Sequence, residues 1–323
     1  MSLVSLSTCR LYQEKPSIPF TPGGEISGTI TELGDKVHSS LAVGDKVLAV
    51  LPGFGGMATE VVARQTDVFK LPPGLDVVPA AGLAVAYGTA HVSLDHRCRL
   101  RAGQVVLVLG AAGGVGLAAV QVAKAMGARV AAVARGTAKC AALQGEGADL
   151  VIDTDTLSSK GGLKAALAGF APRGIDVIFD PVGGKLLSDA LKAAAWGCQV
   201  AIIGFASGSV PQLPANVLLV KNVTAHGIYW GSYAKHEPQV LADSLAKLCD
   251  WAAVGKVRVR VSHRVPIERA HEAFRALMQR HVIGKVVLVM DGSNDSGSGS
   301  GGGSLSQGGH GAAAPHRLGR ARL

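Results

Sequence analysis

Residues 104–135 read QVVLVLGAAGGVGLAAVQVAKAMGARVAAVAR, and this stretch decides the fold. An apolar run at 105–109 stops at a cluster of glycines. An alanine-rich segment then leads to a second apolar run at 130–134. This pattern predicts a strand, a tight turn, a helix and a second strand, which together form the first half of a nucleotide-binding α/β unit.

The glycine cluster predicts contact with a diphosphate. Glycine lets the backbone turn sharply, lets main-chain N–H groups approach a diphosphate, and lets helix and strand pack closely. Gly113 and Gly116 fit the G-x-G-x-x-G fingerprint, whereas Ala111 replaces its first glycine. A partial fingerprint is weak evidence by itself, so the interpretation needs support from the following strand.

That support comes where the second strand ends. Enzymes that use NAD usually have an acidic residue there, which binds the ribose 2′-hydroxyl. Here the strand ends at Ala134 and Arg135, and Lys139 follows. Two cations attract a 2′-phosphate that a carboxylate would repel, so the sequence favours NADPH. The alternative is that both cations are solvated surface charges.

Composition narrows the class of protein. The chain has 323 residues, 48% of them hydrophobic, which suggests about two domains with ample cores. Its 32 Lys and Arg against 23 Asp and Glu give a net charge of +9, which favours anionic ligands. The cations form no basic run, so no nucleic-acid partner is predicted. The cysteines are odd in number and far apart, which predicts neither a disulfide framework nor a C-x-x-C metal pair.

Short apolar runs separated by glycine-containing turns dominate the first 80 residues and predict strands at 25–32, 46–51 and 60–63. A helical pattern at 77–94 then leads into the nucleotide unit. No secretory signal or strong mitochondrial signal is evident at the start. The run at 105–123 is apolar enough to suggest a membrane span, but its glycine cluster favours a soluble α/β unit instead.

Strands and helices alternate after Lys139, which predicts a parallel, doubly wound sheet with ligands at the carboxyl ends of its strands. The Gly/Ser tract that begins after Asp291 cannot bury enough apolar surface to offset its ordering entropy, so 291–323 is predicted to be a disordered tail. The predicted strands are 150–153, 175–180, 199–204, 224–229, 258–261 and 285–290, and the predicted helices are 162–168, 186–195, 239–254 and 267–280.

Several motifs follow one another in a familiar order. They are LYQEKPSIPFTPGGE at 11–25, AYGTAHVSL at 86–94, VLGAAGGVGLAAVQVAK at 108–124, DVIFDPVGG at 176–184, IGFASG at 203–208, WGSY at 230–233 and GKVVLV at 284–289. Together they resemble the zinc-independent quinone oxidoreductases of the medium-chain dehydrogenase/reductase superfamily, relatives of zeta-crystallin. The resemblance covers most of the chain.

The resemblance implies an α/β fold in which a Rossmann doubly wound parallel sheet accompanies a GroES-like β domain. The expected Rossmann NADPH-binding domain is 83–226, and the expected catalytic domain combines 1–82 with 227–290. Family members have further residues before the tyrosine segment, so the β domain is expected to be incomplete and the chain shortened. Similar proteins form homodimers, and the same is expected here.

The resemblance also implies roles for individual residues. Tyr12 matches a family tyrosine near the reacting ring, where its hydroxyl can stabilise negative charge on the substrate oxygen; a packed loop aromatic is the alternative. The expected cofactor contacts are Gly113, Gly114 and Val115 at the diphosphate, Arg135 and Lys139 at the 2′-phosphate, and Thr89, Phe205, Ala206, Ile228 and Trp230 on the nicotinamide side.

Two further positions depart from related sequences. Thr154 stands where the family usually has a tyrosine that contacts the adenosine phosphate. Gly24 stands before Glu25 where zinc-dependent relatives have a histidine ligand, and the four-cysteine zinc lobe is absent too. No metal site can be assembled from recognisable spacing.

The expected function is therefore transfer of a hydride from NADPH to a quinone or an α,β-unsaturated carbonyl without a metal, in the cytoplasm or in mitochondria. The expected partner is a small molecule, with no nucleic acid and no membrane. The alternatives are a non-catalytic NADPH-binding protein and a zinc-independent alcohol or enoyl reductase. Abstraction of a hydride from an alcohol requires a metal or a base that the sequence does not reveal.

Overall fold

The strands form three sheets in the computed structural model, which describes residues 16–37, 40–157 and 161–290. An antiparallel sheet contains β1–β3, a six-stranded parallel sheet contains β4–β9, and a parallel pair contains β10 and β11. The strands are β1 (Glu25–Thr29), β2 (Lys46–Val50), β3 (Val68–Lys70), β4 (Val105–Val108), β5 (Arg129–Ala134), β6 (Leu150–Asp153), β7 (Ile175–Asp180), β8 (Ala194–Ile202), β9 (Thr224–Gly227), β10 (Val261–Pro266) and β11 (Lys285–Val289).

Some helices connect the strands of the six-stranded parallel sheet and cover it, and others pack on the antiparallel sheet and on the β10–β11 pair. They are α1 (Val77–Ala80), α2 (Ala84–His91), α3 (Gly114–Ala125), α4 (Thr137–Gly145), α5 (Gly162–Leu167), α6 (Gly184–Leu191), α7 (Ala215–Lys221), α8 (Tyr233–His236), α9 (Pro238–Ala253) and α10 (Ala270–Met278). A π-helical segment, Val92–Arg97, continues α2. No helix in the described ranges is long and apolar enough to cross a membrane.

The parallel sheet has the strand order β6-β5-β4-β7-β8-β9, which confirms the predicted doubly wound topology. The order reverses between β4 and β7, and such a switch point opens a crevice at the carboxyl ends of the strands. The glycine cluster follows β4 directly, so the fold places it at that crevice.

Both faces of this sheet are buried, which explains the continuous apolar run of β4. Val106 and Val108 pack into one core cluster, and Leu107 and Leu109 pack into the other. This alternation follows from the two-residue repeat of a strand, because successive side chains point to opposite faces.

The antiparallel sheet confirms the expected GroES-like β architecture. β1 and β2 pair from Glu25 opposite Val50 to Thr29 opposite Lys46, and β3 pairs with the other edge of β2. The C-terminal part of the chain returns to the parallel sheet at the glycine cluster. There Gly284 donates its N–H to the carbonyl oxygen of Ala112 over 3.0 Å, and it forms a parallel bridge with Gly113.

A buried polar cluster fixes the segment before β10. The Gln121 side chain of α3 accepts the Arg258 N–H over 2.8 Å and donates to the Arg258 carbonyl oxygen over 2.9 Å. The Tyr87 hydroxyl of α2 also donates to that carbonyl oxygen over 2.9 Å. Burial raises the pKa of Tyr87, so this hydroxyl keeps its proton and remains a donor.

Three local sequence predictions are wrong. Residues 60–63 form no strand, since β3 pairs with β2 instead and Val62 is exposed. Residues 258–261 were predicted as a strand, but β10 starts only at Val261 because the Gln121 side chain takes both backbone groups of Arg258. The predicted helix at 186–195 ends at Leu191, and β8 begins soon afterwards with an irregular register against β7.

The remaining predictions concern the domain boundaries and the C-terminal tail. The domain boundaries after residues 82 and 226 stay predictions. The tail at 291–323 lies outside the described residues.

Helix α3 approaches the preceding turn so closely that Gly116 has no room for a side chain. A Cβ atom there would lie 2.4 Å from the carbonyl oxygen of Gly110 and 2.8 Å from the Cα of Ala111. Both neighbours are backbone atoms, so relief requires the helix or the turn to move.

Gly116→Ala is therefore expected to lower the free energy of unfolding by about 1–3 kcal/mol, the usual cost of overpacking. Urea unfolding measures the effect. Gly145→Ala is the matched control, because Gly145 is also helical and a Cβ there would meet nothing within 4 Å. That control is expected to be neutral or stabilising by up to about 1 kcal/mol. Equal effects of the two substitutions would contradict the close approach.

Candidate functional site

The turn after β4 presents an accessible helix N-terminus. Gly110 has a φ of 59°, a left-handed conformation that glycine adopts without strain. Gly113 is exposed, Gly114 and Val115 are half-buried, and no side chain caps α3. The first N–H groups of a helix lack helical acceptors and bind anionic groups readily. The described residues at this turn therefore fit a diphosphate.

Lys285 covers one side of the turn. A Cβ atom at Gly114 would lie 3.1 Å from the Cδ of Lys285 and 3.3 Å from the carbonyl oxygen of Gly284. The Lys285 ammonium pairs with the Glu25 carboxylate, whose other oxygen accepts the Val85 N–H over 2.8 Å. These contacts connect the turn to β1 and α2.

The pair between Glu25 and Lys285 is not predicted by the sequence motifs. Both residues belong to quoted motifs, PGGE and GKVVLV, but they lie 260 positions apart. Only the folded chain shows that they meet.

Asp180 shapes the loop that follows β7. Its Oδ1 accepts the N–H groups of Val182 and Gly183, each over 2.8 Å. Its Oδ2 is buried and has no hydrogen-bond partner among the described residues. Burial raises the pKa of Asp180, although the Gly183 and Val182 N–H groups oppose the shift by favouring the carboxylate.

The loop after β8 rests on the loop after β7. Ala206 donates its N–H to the Pro181 carbonyl oxygen over 3.1 Å, and Ser207 donates to that of Val182 over 3.0 Å. Phe205 stands over Gly183, where a Cβ would lie 3.1 Å from its ring, and 36% of its surface is exposed. The carboxylate of Asp180 thus supports both loops at this rim.

The end of β5 carries paired charges. The Arg135 Nε lies 2.9 Å from Asp155 Oδ1, and both side chains are largely exposed. Asp153 Oδ1 accepts the N–H groups of Gly136 over 2.9 Å and Asp155 over 3.0 Å. Lys139 is half-buried in the first turns of α4. Arg135 is therefore close to the carboxylates of Asp153 and Asp155, which the motifs do not include.

Comparison with known proteins places these features in a family. Residues 4–73 match the family model of the alcohol dehydrogenase GroES-like domain, and residues 114–247 match that of the zinc-binding dehydrogenases. The quinone oxidoreductase-like protein 2 homolog of Nematostella vectensis is 43% identical over 279 residues, which are 86% of this chain and 75% of that protein. Quinone oxidoreductase-like protein 2 of Bos taurus is 37% identical over 281 residues, 86% of this chain and 79% of that protein.

The chain belongs to the quinone oxidoreductase-like members of the medium-chain dehydrogenase/reductase superfamily.

Solved structures agree with this family. The quinone oxidoreductase of Thermus thermophilus, also solved in complex with NADPH, superposes with a TM-score of 0.74 at 30% identity, covering 89% of this chain and 87% of that one. A probable oxidoreductase from Mycobacterium abscessus gives a TM-score of 0.78 at 32% identity, covering 90% and 86%. The protein is thus an oxidoreductase, and the resemblance stated from its motifs is confirmed.

The expected nicotinamide-side residues of this quinone oxidoreductase-like chain differ in exposure. Phe205 and Ala206 lie at the rim with exposed surface. Thr89, Ile228 and Trp230 are buried, at 7%, 7% and 6% exposure. The Trp230 ring fills the space beside Gly88, where a Cβ would lie 2.8 Å from it. Its buried indole N–H has no acceptor in the part of the chain that the structure describes. Tyr12 lies outside the described residues.

One buried histidine, His91, lies close to a serine. His91 Nδ1 lies 3.0 Å from Ser244 Oγ, but both residues are buried where α2 packs against α9. Burial lowers the pKa of His91. In residues 16–37, 40–157 and 161–290, no group of three or more His, Cys, Asp or Glu side chains is placed to hold a metal ion.

Lys285→Met is expected to lower the free energy of unfolding by about 1–3 kcal/mol, because it leaves the Glu25 carboxylate mostly buried without its cation. Lys285→Arg retains the charge and should lose less. The double variant Glu25→Gln/Lys285→Met should lose less than the sum of the single changes, since it leaves no unpaired carboxylate. Additive losses in urea unfolding would show that the two side chains do not interact.

The pH dependence of stability tests the buried carboxyl of Asp180. Because its pKa is raised in the folded state, the folded chain binds this proton more tightly than the unfolded chain. The stabilising contribution of the Asp180 carboxyl is complete below its unfolded pKa of about 3.9. This contribution is lost as pH rises through the folded pKa. Asp180→Asn should therefore gain stability relative to the wild type as pH rises above about 4, measured by urea unfolding.

Asp180→Ala separates titration from hydrogen bonding. It should lower stability at every pH by about 1–3 kcal/mol, because the Val182 and Gly183 N–H groups lose their acceptor. If the stability of the wild type instead increased relative to that of Asp180→Asn as pH rises, the carboxylate would be stabilised as an anion and the burial argument would be wrong.

Proposed function

We propose that this chain transfers a hydride from NADPH to a quinone or an α,β-unsaturated carbonyl, without a metal. The observation that carries the proposal is the uncapped N-terminus of α3 at the switch point of the sheet, in a family that includes an NADPH-bound quinone oxidoreductase. Gly24 before Glu25, in place of a histidine ligand, supports the metal-independent form of the reaction.

The bound NADPH supplies the hydride, so the protein's tasks are to position and shield the reacting groups. The N–H groups of Gly114 and Val115 hold the diphosphate. Gly113, whose own N–H donates to the Gly110 carbonyl oxygen over 3.1 Å, lines the same turn. Arg135 with Lys139 hold the 2′-phosphate. The residues proposed for the nicotinamide side are Thr89, Phe205, Ala206, Ile228 and Trp230.

The roles proposed for the nicotinamide-side residues follow from the solvent exposure of their side chains. Phe205 is exposed at the rim, so it can contact the ring and exclude water. Thr89, Ile228 and Trp230 are buried and act mainly as the floor beneath it. The Tyr12 hydroxyl is proposed to stabilise negative charge on the substrate oxygen.

We also propose that the chain forms a homodimer and that it resides in the cytoplasm. In the described residues β9 lies at the edge of the parallel sheet, and Thr224, Ala225 and Gly227 in it are exposed. Leu219 and Val220 on α7 are also exposed, at 81% and 76%. A free sheet edge beside apolar side chains is the kind of surface that a second subunit covers.

A cofactor-oxidation assay tests the reaction. NADPH absorbance is followed with a panel of quinones and enones, with and without a chelator. We expect turnover that the chelator does not reduce. Quenching of NADPH fluorescence without turnover of any acceptor would identify a binding protein instead, and inhibition by the chelator would contradict the metal-independent mechanism.

Arg135→Ala/Lys139→Ala tests the phosphate contacts. The double variant should raise KM for NADPH about tenfold, because two exposed charge contacts are each worth up to about 1 kcal/mol, and should change KM for NADH little. Lys185→Ala/Lys192→Ala removes the same charge from exposed cations around α6 and should leave the selectivity unchanged. An equal loss for both cofactors would show that Arg135 and Lys139 do not bind the 2′-phosphate.

A further inference from the structure

We propose that Asp155 sets the degree of preference for NADPH over NADH. Its carboxylate holds the Arg135 guanidinium and adds a negative charge next to the 2′-phosphate position. The chain therefore discriminates between the two cofactors less than its two cations alone would allow. This inference rests on the proposed function, in which Arg135 and Lys139 bind that phosphate.

The fold places Asp155 beside Arg135. Strands β5 and β6 are neighbours in register, with Ala134 opposite Asp153. Arg135 follows β5 directly, and Asp155 lies in the single turn Thr154–Thr156 that follows β6. The two side chains meet at the carboxyl edge of the sheet, with Nε and Oδ1 2.9 Å apart.

Asp153 holds this arrangement in place. Its Oδ1 accepts the N–H of Gly136, next to Arg135, and also the N–H of Asp155. One carboxylate oxygen thus ties the turn after β5 to the turn after β6. The backbones of Arg135 and Asp155 are therefore held near each other.

The charge balance of this corner is close to neutral. Arg135 and Lys139 supply two positive charges, and Asp153 and Asp155 supply two negative ones. The field of both carboxylates reaches α4: burial is the first cause that raises the pKa of the Cys140 thiol, and Asp153 and Asp155 raise it further. A phosphate with nearly two negative charges meets less attraction here than the cations suggest.

Competition for the guanidinium gives the mechanism. Asp155 occupies the Nε donor of Arg135, so a 2′-phosphate must share the guanidinium or displace the carboxylate. NADH carries no 2′-phosphate and gains nothing from Arg135. Removing the carboxylate charge therefore favours NADPH selectively.

A role in binding ribose is the main alternative for this carboxylate. An acid that binds the ribose 2′-hydroxyl of NAD follows the second strand of the unit, and Ala134 and Arg135 fill that place here. Asp155 follows the third strand instead, and one of its carboxylate oxygens accepts a hydrogen bond from the Nε of Arg135. The geometry thus favours the competing role.

Asp155→Asn tests the inference, with Asp67→Asn as its matched control. Asp67 also accepts from the Nε of an arginine, Arg64, over 2.7 Å, but it lies beside β3 in the antiparallel part. We expect Asp155→Asn to lower KM and the dissociation constant for NADPH about two- to fivefold and to change those for NADH by a smaller factor. Asp67→Asn should change neither, and high salt should shrink the gain.

A double-mutant cycle shows whether Asp155 acts through Arg135. In an Arg135→Ala background, Asp155→Asn should give a smaller gain for NADPH, because only the direct repulsion is relieved. Thermal unfolding of each variant, measured without cofactor, verifies that the chain is folded. An undiminished gain in that background would overturn the competition for the guanidinium.

The possible failures are distinguishable. If the wild type binds NADPH and Asp155→Asn leaves the NADPH-to-NADH ratio unchanged, the inference is wrong and the proposed function stands. If Asp155→Asn weakens NADH alone, Asp155 binds the ribose and the inference is wrong as well. If the folded wild type quenches no NADPH fluorescence, the proposed function fails and takes the inference with it.

Discussion

The close approach of α3 to the turn after β4 is the constraint on which the rest of the structure depends. Gly116 permits it, because any Cβ there would meet the backbone of Gly110 and Ala111. The approach brings the first N–H groups of α3 to the carboxyl edge of the parallel sheet at its switch point. A larger residue at Gly116 would tilt the helix or open the turn, and the N–H groups would no longer converge on one anion. Packing and the proposed binding of a diphosphate thus both depend on the absence of a side chain at Gly116.

The C-terminal part of the chain stabilises this turn from outside. Gly284 forms a bridge with Gly113, and Lys285 lies against Gly114 while its ammonium pairs with Glu25. The Gln121 side chain on the same helix fixes the backbone of Arg258 just before β10. Helix α3 is therefore held at its start and in its middle by segments that come from the last third of the chain. The site depends on contacts between distant parts of the sequence, although its motif is local.

The sequence predicted what local periodicity controls. Apolar runs at 105–109 and 130–134 and the alternation after Lys139 were enough for the doubly wound sheet, because a strand buried on both faces must be apolar throughout. The predictions failed where a contact with a residue far away in the sequence determines the local structure. Residues 60–63 look like a strand but have none to pair with, since β3 takes the edge of β2, and the strand expected at Arg258 is displaced by a side-chain amide from α3. The pair of Glu25 and Lys285 was beyond reach for the same reason.

The same distinction applies to the charged side chains at the ends of β5 and β6. Arg135 and Lys139 are visible in the sequence because they follow the strand that a dinucleotide fingerprint singles out. The carboxylates of Asp153 and Asp155 follow the next strand, and nothing in their local sequence shows that parallel pairing of β5 with β6 brings them to the same edge. Net charge at a binding site is a sum over neighbouring strands, whereas a motif records one strand only. A cation in a fingerprint position therefore indicates which ligand can bind, and the residues across the ladder determine how strongly it is preferred.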